Sequence, residues 1–122
     1  MTIRFLSAAV LSTGLLALLG GPALAQHRFA ASPQIDLNRV YRVDIFTGEV
    51  GACQYAVQDG NIGVTLCFPA GEGAGPQEPG DYDLVASNHT KEGGVFRVER
   101  RSGRMSVCYV REERVVCTTT SR

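Results

Sequence analysis

Histidines, paired aspartates, serines and cysteines are the residues of this chain that could carry chemistry. A hydrolytic triad needs a nucleophile, a histidine and an acid held together, and the only histidines are His27 and His89. His89 stands in a polar Asn-His-Thr stretch typical of an exposed loop, and neither G-x-S-x-G nor S-x-x-K occurs. Asp81 and Asp83 could act as paired acids on a strand, although alternating acids are more typical of a solvated face. We therefore predict no catalytic residue and no enzyme.

The cysteines favour a second kind of chemistry, disulfide formation. An even number of cysteines in a small exported domain indicates two disulfides. Metal binding is the alternative, but no C-x-x-C pair occurs and neither histidine completes a zinc pattern, so no metal or cofactor is predicted. The four cysteines are Cys53, Cys67, Cys108 and Cys117.

Turn residues favour a local pairing of these cysteines. If Glu112-Glu113 forms a two-residue loop, Cys108 falls opposite Cys117 at a non-hydrogen-bonded pair, where Cα atoms approach most closely. The stretch from Cys53 to Cys67 is likewise centred on a turn at Gly60. The crossed pairing, in which the first cysteine bonds to the last, stays open at this point.

Residues 1–25 have the layout of a secretory signal peptide. One charge, Arg4, precedes an apolar run over 5–19, and Ala23-Leu24-Ala25 supplies a cleavage site. The run is shorter than the roughly 20 residues that span a bilayer, and residue 26 is Gln rather than a lipoprotein cysteine. We expect a periplasmic or secreted chain that starts near Gln26 and has no stable membrane anchor.

The charges are balanced overall but unevenly distributed. Twelve basic and twelve acidic residues in 122 give no charge-based case for a nucleic-acid binder. Residues 26–90 hold three basic and eight acidic side chains, whereas residues 91–122 hold eight and four. Arginine binds carboxylates and phosphates well, so we predict a possible binding patch at Arg100, Arg101, Ser102, Gly103 and Arg104. The alternative is that, of the two repeated segments described below, the basic surface of the second pairs with the acidic surface of the first, or that these charges guard strand edges against aggregation.

An internal repeat points to the elements that position these residues. Residues 40–53 match residues 95–108 without a gap, and nine of the fourteen positions are identical or keep their chemical type. Each copy alternates apolar and polar residues, then continues through Thr47-Gly48 or Ser102-Gly103, which are turn signals. We predict an all-β fold: an antiparallel β-meander, small sandwich or barrel built from two hairpin repeats with two disulfides.

The predicted organisation is a signal peptide, a flexible N-terminal segment and a single β domain. These span residues 1–25, 26–38 and 39–122. Within the domain, repeat 1 covers about 40–68, a Gly/Pro-rich surface linker covers 69–80, and repeat 2 covers about 81–120.

The run from Gly80-Asp-Tyr-Asp-Leu-Val to Phe96-Arg-Val-Glu-Arg-Arg-Ser-Gly resembles a hairpin unit of small exported bacterial proteins. Its common form is Gly-x-Tyr-x-Leu, then Phe-Arg-Ile/Val-Asp-x-x-Thr-Gly-x-Val-Trp, and here Cys108 stands near the Trp position. The unit is also similar to single blades of β-propellers, but two units do not close a propeller of four or more blades. The resemblance implies export and β-hairpins, and it carries no catalytic residue with it.

The function expected from these features is that of a non-catalytic exported binding or envelope-structural module. Its expected partner is another envelope or secreted protein. The alternative is an inhibitor of a secreted hydrolase such as lysozyme, because Ser102-Gly103-Arg104 resembles the loop that such inhibitors insert into the enzyme's cleft. An envelope hydrolase using His89 and the two aspartates is a second alternative, and the oligomeric state stays open.

Overall fold

The computed structural model of the chain describes residues 26–57, 60 and 62–119, together with Thr2, Ala9 and Gly14. Apart from those three positions, the predicted signal peptide lies outside the described residues, as do both neighbours of Gly60 in its predicted turn. The described part of the chain contains strands and no helix, and therefore no helix long and apolar enough to cross a membrane.

Two four-stranded antiparallel sheets make up the fold, each a meander in chain order. Sheet 1 consists of β1 (His27–Ala31), β2 (Arg39–Asp44), β3 (Val50–Ala56) and β4 (Val64–Phe68). Sheet 2 consists of β5 (Tyr82–Val85), β6 (Val95–Glu99), β7 (Met105–Arg111) and β8 (Arg114–Cys117). The predicted all-β class is confirmed, and the two sheets pack against each other without closing into a barrel.

The disulfides staple the last two strands of each sheet. Cys53 is the register partner of Cys67, and Cys108 is that of Cys117, with Cα atoms 4.0 and 4.1 Å apart. The predicted local pairing is confirmed. Disulfides persist in oxidising compartments, so the pairing indicates an oxidising environment outside the cytoplasm.

The β7–β8 hairpin has the predicted two-residue loop. Glu112 and Glu113 both have positive φ, 49° and 62°, and Arg111 pairs with Arg114. Positive φ at both central residues is the type I′ arrangement, whose twist matches that of the flanking strands. The turn thus sets the register that brings the two cysteines of sheet 2 together.

The segment 26–38, predicted to be flexible, contains strand β1. This strand pairs with β2 from His27↔Asp44 to Ala31↔Val40. It lies at an edge of sheet 1, and every residue in it except Ala30 is exposed. An edge strand with so little burial has no alternating pattern to reveal it, which is why the sequence did not predict it.

The linker 69–80 is exposed over most of its length, but part of it packs against both sheets, which the sequence did not predict. Ala70 forms a parallel bridge with Val115 of β8, and Ala74 is fully buried in the core. The amide of Val50 donates to the Ala74 carbonyl at 2.9 Å. Gly73 has a φ of 74°, and a Cβ there would collide with the carbonyl oxygen of Cys117. Gly73 therefore allows the backbone of the linker to approach that of β8 closely.

The two sheets bury opposite faces. The pairing registers of β1–β2–β3 and β5–β6–β7 are related by a shift of 55 residues. We call the face of sheet 1 that carries Tyr41 its front face, and the face that carries Arg42 its back face; sheet 2 takes the same names through the shift of 55. Sheet 1 buries its front face and sheet 2 its back face. The resulting core comprises Tyr41, Val43, Val50, Ala52, Phe68, Ala74, Tyr82, Leu84, Val95, Cys108, Val115 and Cys117.

Candidate functional site

The turn between β6 and β7 carries all five residues of the predicted patch, which the structure therefore brings together. The Gly103 amide donates to the Glu99 carbonyl at 2.8 Å, and the Glu99 amide donates to the Arg104 carbonyl at 2.8 Å. Gly103 takes a φ of 74°, which glycine adopts without steric cost. Residues 100–104 are all exposed, so the turn projects its side chains into solvent.

The Glu99 carboxylate holds this turn from its base. It accepts hydrogen bonds from the Ser102 hydroxyl and from the Ser102 and Arg101 amides, the last two at 2.7 and 3.1 Å. The amide of Asp81 donates to it as well, at 3.1 Å. These donors, the Ser102 hydroxyl foremost, lower the pKa of Glu99 from 4.5 to about 2 because they stabilise the charged form. The turn is thus fixed by a charged anchor.

The arginines of the turn differ in their surroundings. Arg100 forms an ion pair with Asp81 across 3.8 Å, and its amide donates to the Asp81 carbonyl at 2.8 Å. Arg101 and Arg104 are exposed. Arg100 therefore pairs with an acid of its own repeat, and not with one of repeat 1 as the alternative for the charges proposed. The two other arginines of the turn are open to solvent.

A groove runs beside the turn, between the linker and the back face of sheet 2. Its volume is about 510 Å³, and its lining includes Glu78, Tyr82, Glu99, Arg104 and Thr118. Burial raises the pKa of the Tyr82 phenol, whose hydroxyl donates to the Glu78 carbonyl at 2.6 Å. The groove thus joins the patch to the interior of the molecule.

Arg97, a residue that the sequence did not single out, lies at the inner end of this groove. It is only 6 % exposed, and burial lowers its pKa. Its guanidinium donates to the carbonyls of Gly48 at 2.9 Å and Gly73 at 3.0 Å, and to the Ser106 hydroxyl at 3.2 Å. Arg97 therefore ties both sheets and the linker together, and its hydrogen-bonding groups are used within the chain.

The alternation of β6 leaves Phe96, one of its apolar residues, outside the core. Arg97 is buried while Phe96 is 36 % exposed, because sheet 2 turns its back face inward. Val95, on the same face as Arg97 and opposite Cys108, was the sequence signal that this side of the strand is apolar.

The other candidate catalytic residues each have partners or surroundings of their own. Asp83 faces Arg28 across 3.8 Å, whereas Asp81 pairs with Arg100. His89 is exposed in a turn, where its amide donates to the Ser87 hydroxyl at 3.2 Å, and His27 lies on edge strand β1. Among the described residues, no group of three or more His, Cys, Asp or Glu side chains is arranged to hold a metal ion.

Comparison with known proteins found no match: no protein-family profile, curated protein or solved structure is similar to this chain.

Proposed function

We propose that this chain is an exported, non-catalytic binding module of the periplasm or the secreted fraction, and that it contacts its partner through the turn 100–104. The observation that carries the proposal is the exposure of Arg101 and Arg104 on a turn fixed by Glu99. A surface held in its bound shape loses less conformational freedom on association. The partner expected from this chemistry is an envelope or secreted protein that presents carboxylates.

The surroundings of the candidate nucleophile and acids support a non-catalytic role. The Ser102 hydroxyl donates to Glu99, an acceptor whose lowered pKa makes it a weak base. Asp81 and Asp83 are held by different arginines, whereas a glycosidase needs two carboxyl groups facing one bond. These groups fix the turn and the sheet edges.

A photo-crosslinking residue tests the proposed contact surface. It is introduced in place of Arg101 in the full chain, and in place of Ile62 as a control, which is 98 % exposed in the β3–β4 hairpin. After export, illumination in the presence of the envelope fraction is expected to give a partner adduct from position 101 only. Adducts from both positions, or from neither, would contradict the proposal. The same material yields the mature N-terminus, expected at Gln26.

Inhibition of a secreted hydrolase such as lysozyme is the second candidate. The observation that favours it is the exposed and rigid Ser102-Gly103-Arg104 tip, which has a shape suited to entering a cleft. Titrating lysozyme with excess protein tests this function, and undiminished activity rules it out. An envelope hydrolase would instead show turnover of cell-wall substrates that is lost in His89→Ala.

A further inference from the structure

We propose that copies of this chain assemble head to tail, with the front face of sheet 2 in one copy packed on the back face of sheet 1 in the next. This inference does not rest on the proposed function. Its basis is the way in which the two sheets already pack within one chain, where a front face meets a back face. One front face and one back face are left over, at opposite ends of the molecule.

The two free faces carry apolar side chains at positions that are buried in the other sheet. Phe96, on the front face of sheet 2, stands 55 residues after Tyr41, which is fully buried in sheet 1. Val40, on the back face of sheet 1, is 43 % exposed and stands 55 residues before Val95, which is fully buried. Both free faces are therefore built to the pattern of a face that is buried elsewhere in the molecule.

The main polar contact of the internal interface can also be repeated between copies. Within the chain, Arg97 donates to the carbonyl of Gly48, and a Cβ on Gly48 would lie 2.7 Å from the Tyr82 ring. The corresponding residues on the free faces are Arg42 and Gly103. They are identical in type, and both glycines have a φ of 74°. Arg42 is exposed, and nothing lies within 4 Å of a Cβ built on Gly103, as expected where the next sheet is absent.

The charges along the first strands favour the same direction of stacking. Arg28 of β1 and Asp83 of β5 occupy corresponding positions and form an ion pair 3.8 Å apart. In a head-to-tail assembly, Asp83 of one copy lies next to Arg28 of the following copy. The ion pair found within the chain can therefore form again between copies.

A head-to-tail interface closes into a ring when its rotation divides a full turn. Four-stranded sheets packed front to back around an axis are the architecture of propellers with about four to eight blades, which corresponds to two to four copies of this chain. The occupant of both free faces is therefore a second copy. Arg101 stays open to solvent in such a ring. Its counterpart 55 residues earlier is Phe46, in the turn between β2 and β3, and Phe46 is 48 % exposed although its sheet is already packed against the other one.

Sedimentation velocity on the full chain, exported and purified with its disulfides intact, tests the proposal. The wild type is expected to sediment as two to four chains over a concentration series. Phe96→Lys blocks the front face and Val40→Lys the back face, and each variant is expected to sediment as a single chain. Ile62→Lys, which adds the same charge outside both faces, is the control and should match the wild type.

Mixing the two blocked variants in equal amounts gives the sharpest readout. One front face and one back face remain intact, so the mixture should form a species of two chains that neither variant forms alone. A wild type that stays single throughout, a mixture that stays single at the highest concentration, or a Val40→Lys variant that still associates would each overturn the proposal. The last result would indicate pairing between two front faces.

Circular dichroism and a thiol titration show whether each variant is folded and oxidised. Should Phe96→Lys or Val40→Lys fail to fold, Arg42→Gln keeps the proposal testable, because this side chain is exposed in the single chain. Loss of its donors to Gly103 of the next copy is expected to weaken association at least tenfold on dilution. Unchanged association in Arg42→Gln would overturn the proposed interface.

Discussion

Replacing Arg97 by methionine removes the buried cation that joins the two sheets to the linker. Two backbone carbonyls, those of Gly48 and Gly73, lose the donors that now lie 2.9 and 3.0 Å away. Hydrogen bonds to charged groups contribute about 1.5–3 kcal/mol each, but methionine also avoids the cost of burying a guanidinium. The expected net loss is therefore roughly 3 kcal/mol in the free energy of unfolding, rather than the sum of both bonds.

Urea unfolding, at a concentration where sedimentation shows single chains, measures this loss. For a domain of this size, about 3 kcal/mol corresponds to a melting temperature lower by roughly 12–24 °C. The matched control is Arg42→Met, at the corresponding but exposed position in sheet 1, where a change within about 0.5 kcal/mol is expected. If Arg97→Met were as stable as the control, the role of Arg97 as the tie between the sheets would be refuted.

Three further predictions concern the disulfides, the linker and the turn. Removing Cys108–Cys117 by alanine substitution should lower the free energy of unfolding more than removing Cys53–Cys67. Both disulfides close short loops, each worth roughly 2–3 kcal/mol, but only Cys108–Cys117 is buried. Equal losses in urea unfolding would contradict this prediction. Gly73→Ala should lower the melting temperature further than Gly60→Ala. Both glycines have positive φ, but only at Gly73 would an added Cβ collide with the backbone of another segment. Similar melting temperatures in the two variants would count against the packing of the linker on β8. Ser102→Ala should raise the pKa of Glu99 from about 2 toward 4.5, as followed by NMR titration. The pKa of Glu99 is lower in the folded chain than in the unfolded chain, so the stability that Glu99 contributes is present above about pH 4.5 and is lost as the pH falls toward 2. If the substitution left the titration of Glu99 unchanged, the dependence of this pKa on the Ser102 hydroxyl would be refuted.

Local patterns sufficed for the strands that are joined by short turns. The alternation around Val43 and Val98, and the turns at Gly48 and Gly103, report interactions between neighbours in sequence, so they could be identified without the structure. The same holds for the disulfide across β7 and β8, whose register is set by Glu112-Glu113. The candidate patch was also predictable, because it is a single turn.

What the sequence did not predict depends on packing between distant segments. β1 has few buried side chains, and its pairing is set by β2. Ala74 reaches the core where glycines let the linker lie against the backbone of β8. The burial of Arg97 follows from which face sheet 2 turns inward. β6 has apolar residues on both faces, Val95 on one and Phe96 on the other, so its pattern alone does not determine that choice.

Capture of envelope proteins at physiological ionic strength tests most directly whether the turn 100–104 binds a partner. The variant replaces Arg100, Arg101 and Arg104 by glutamine. The matched control removes the same charge from the same basic part of the chain, at the exposed residues Lys91, Arg111 and Arg114. We expect the wild type and the control to retain the same protein and the turn variant to lose it. Equal retention by all three, or equal loss in both variants, would contradict a binding surface at this turn.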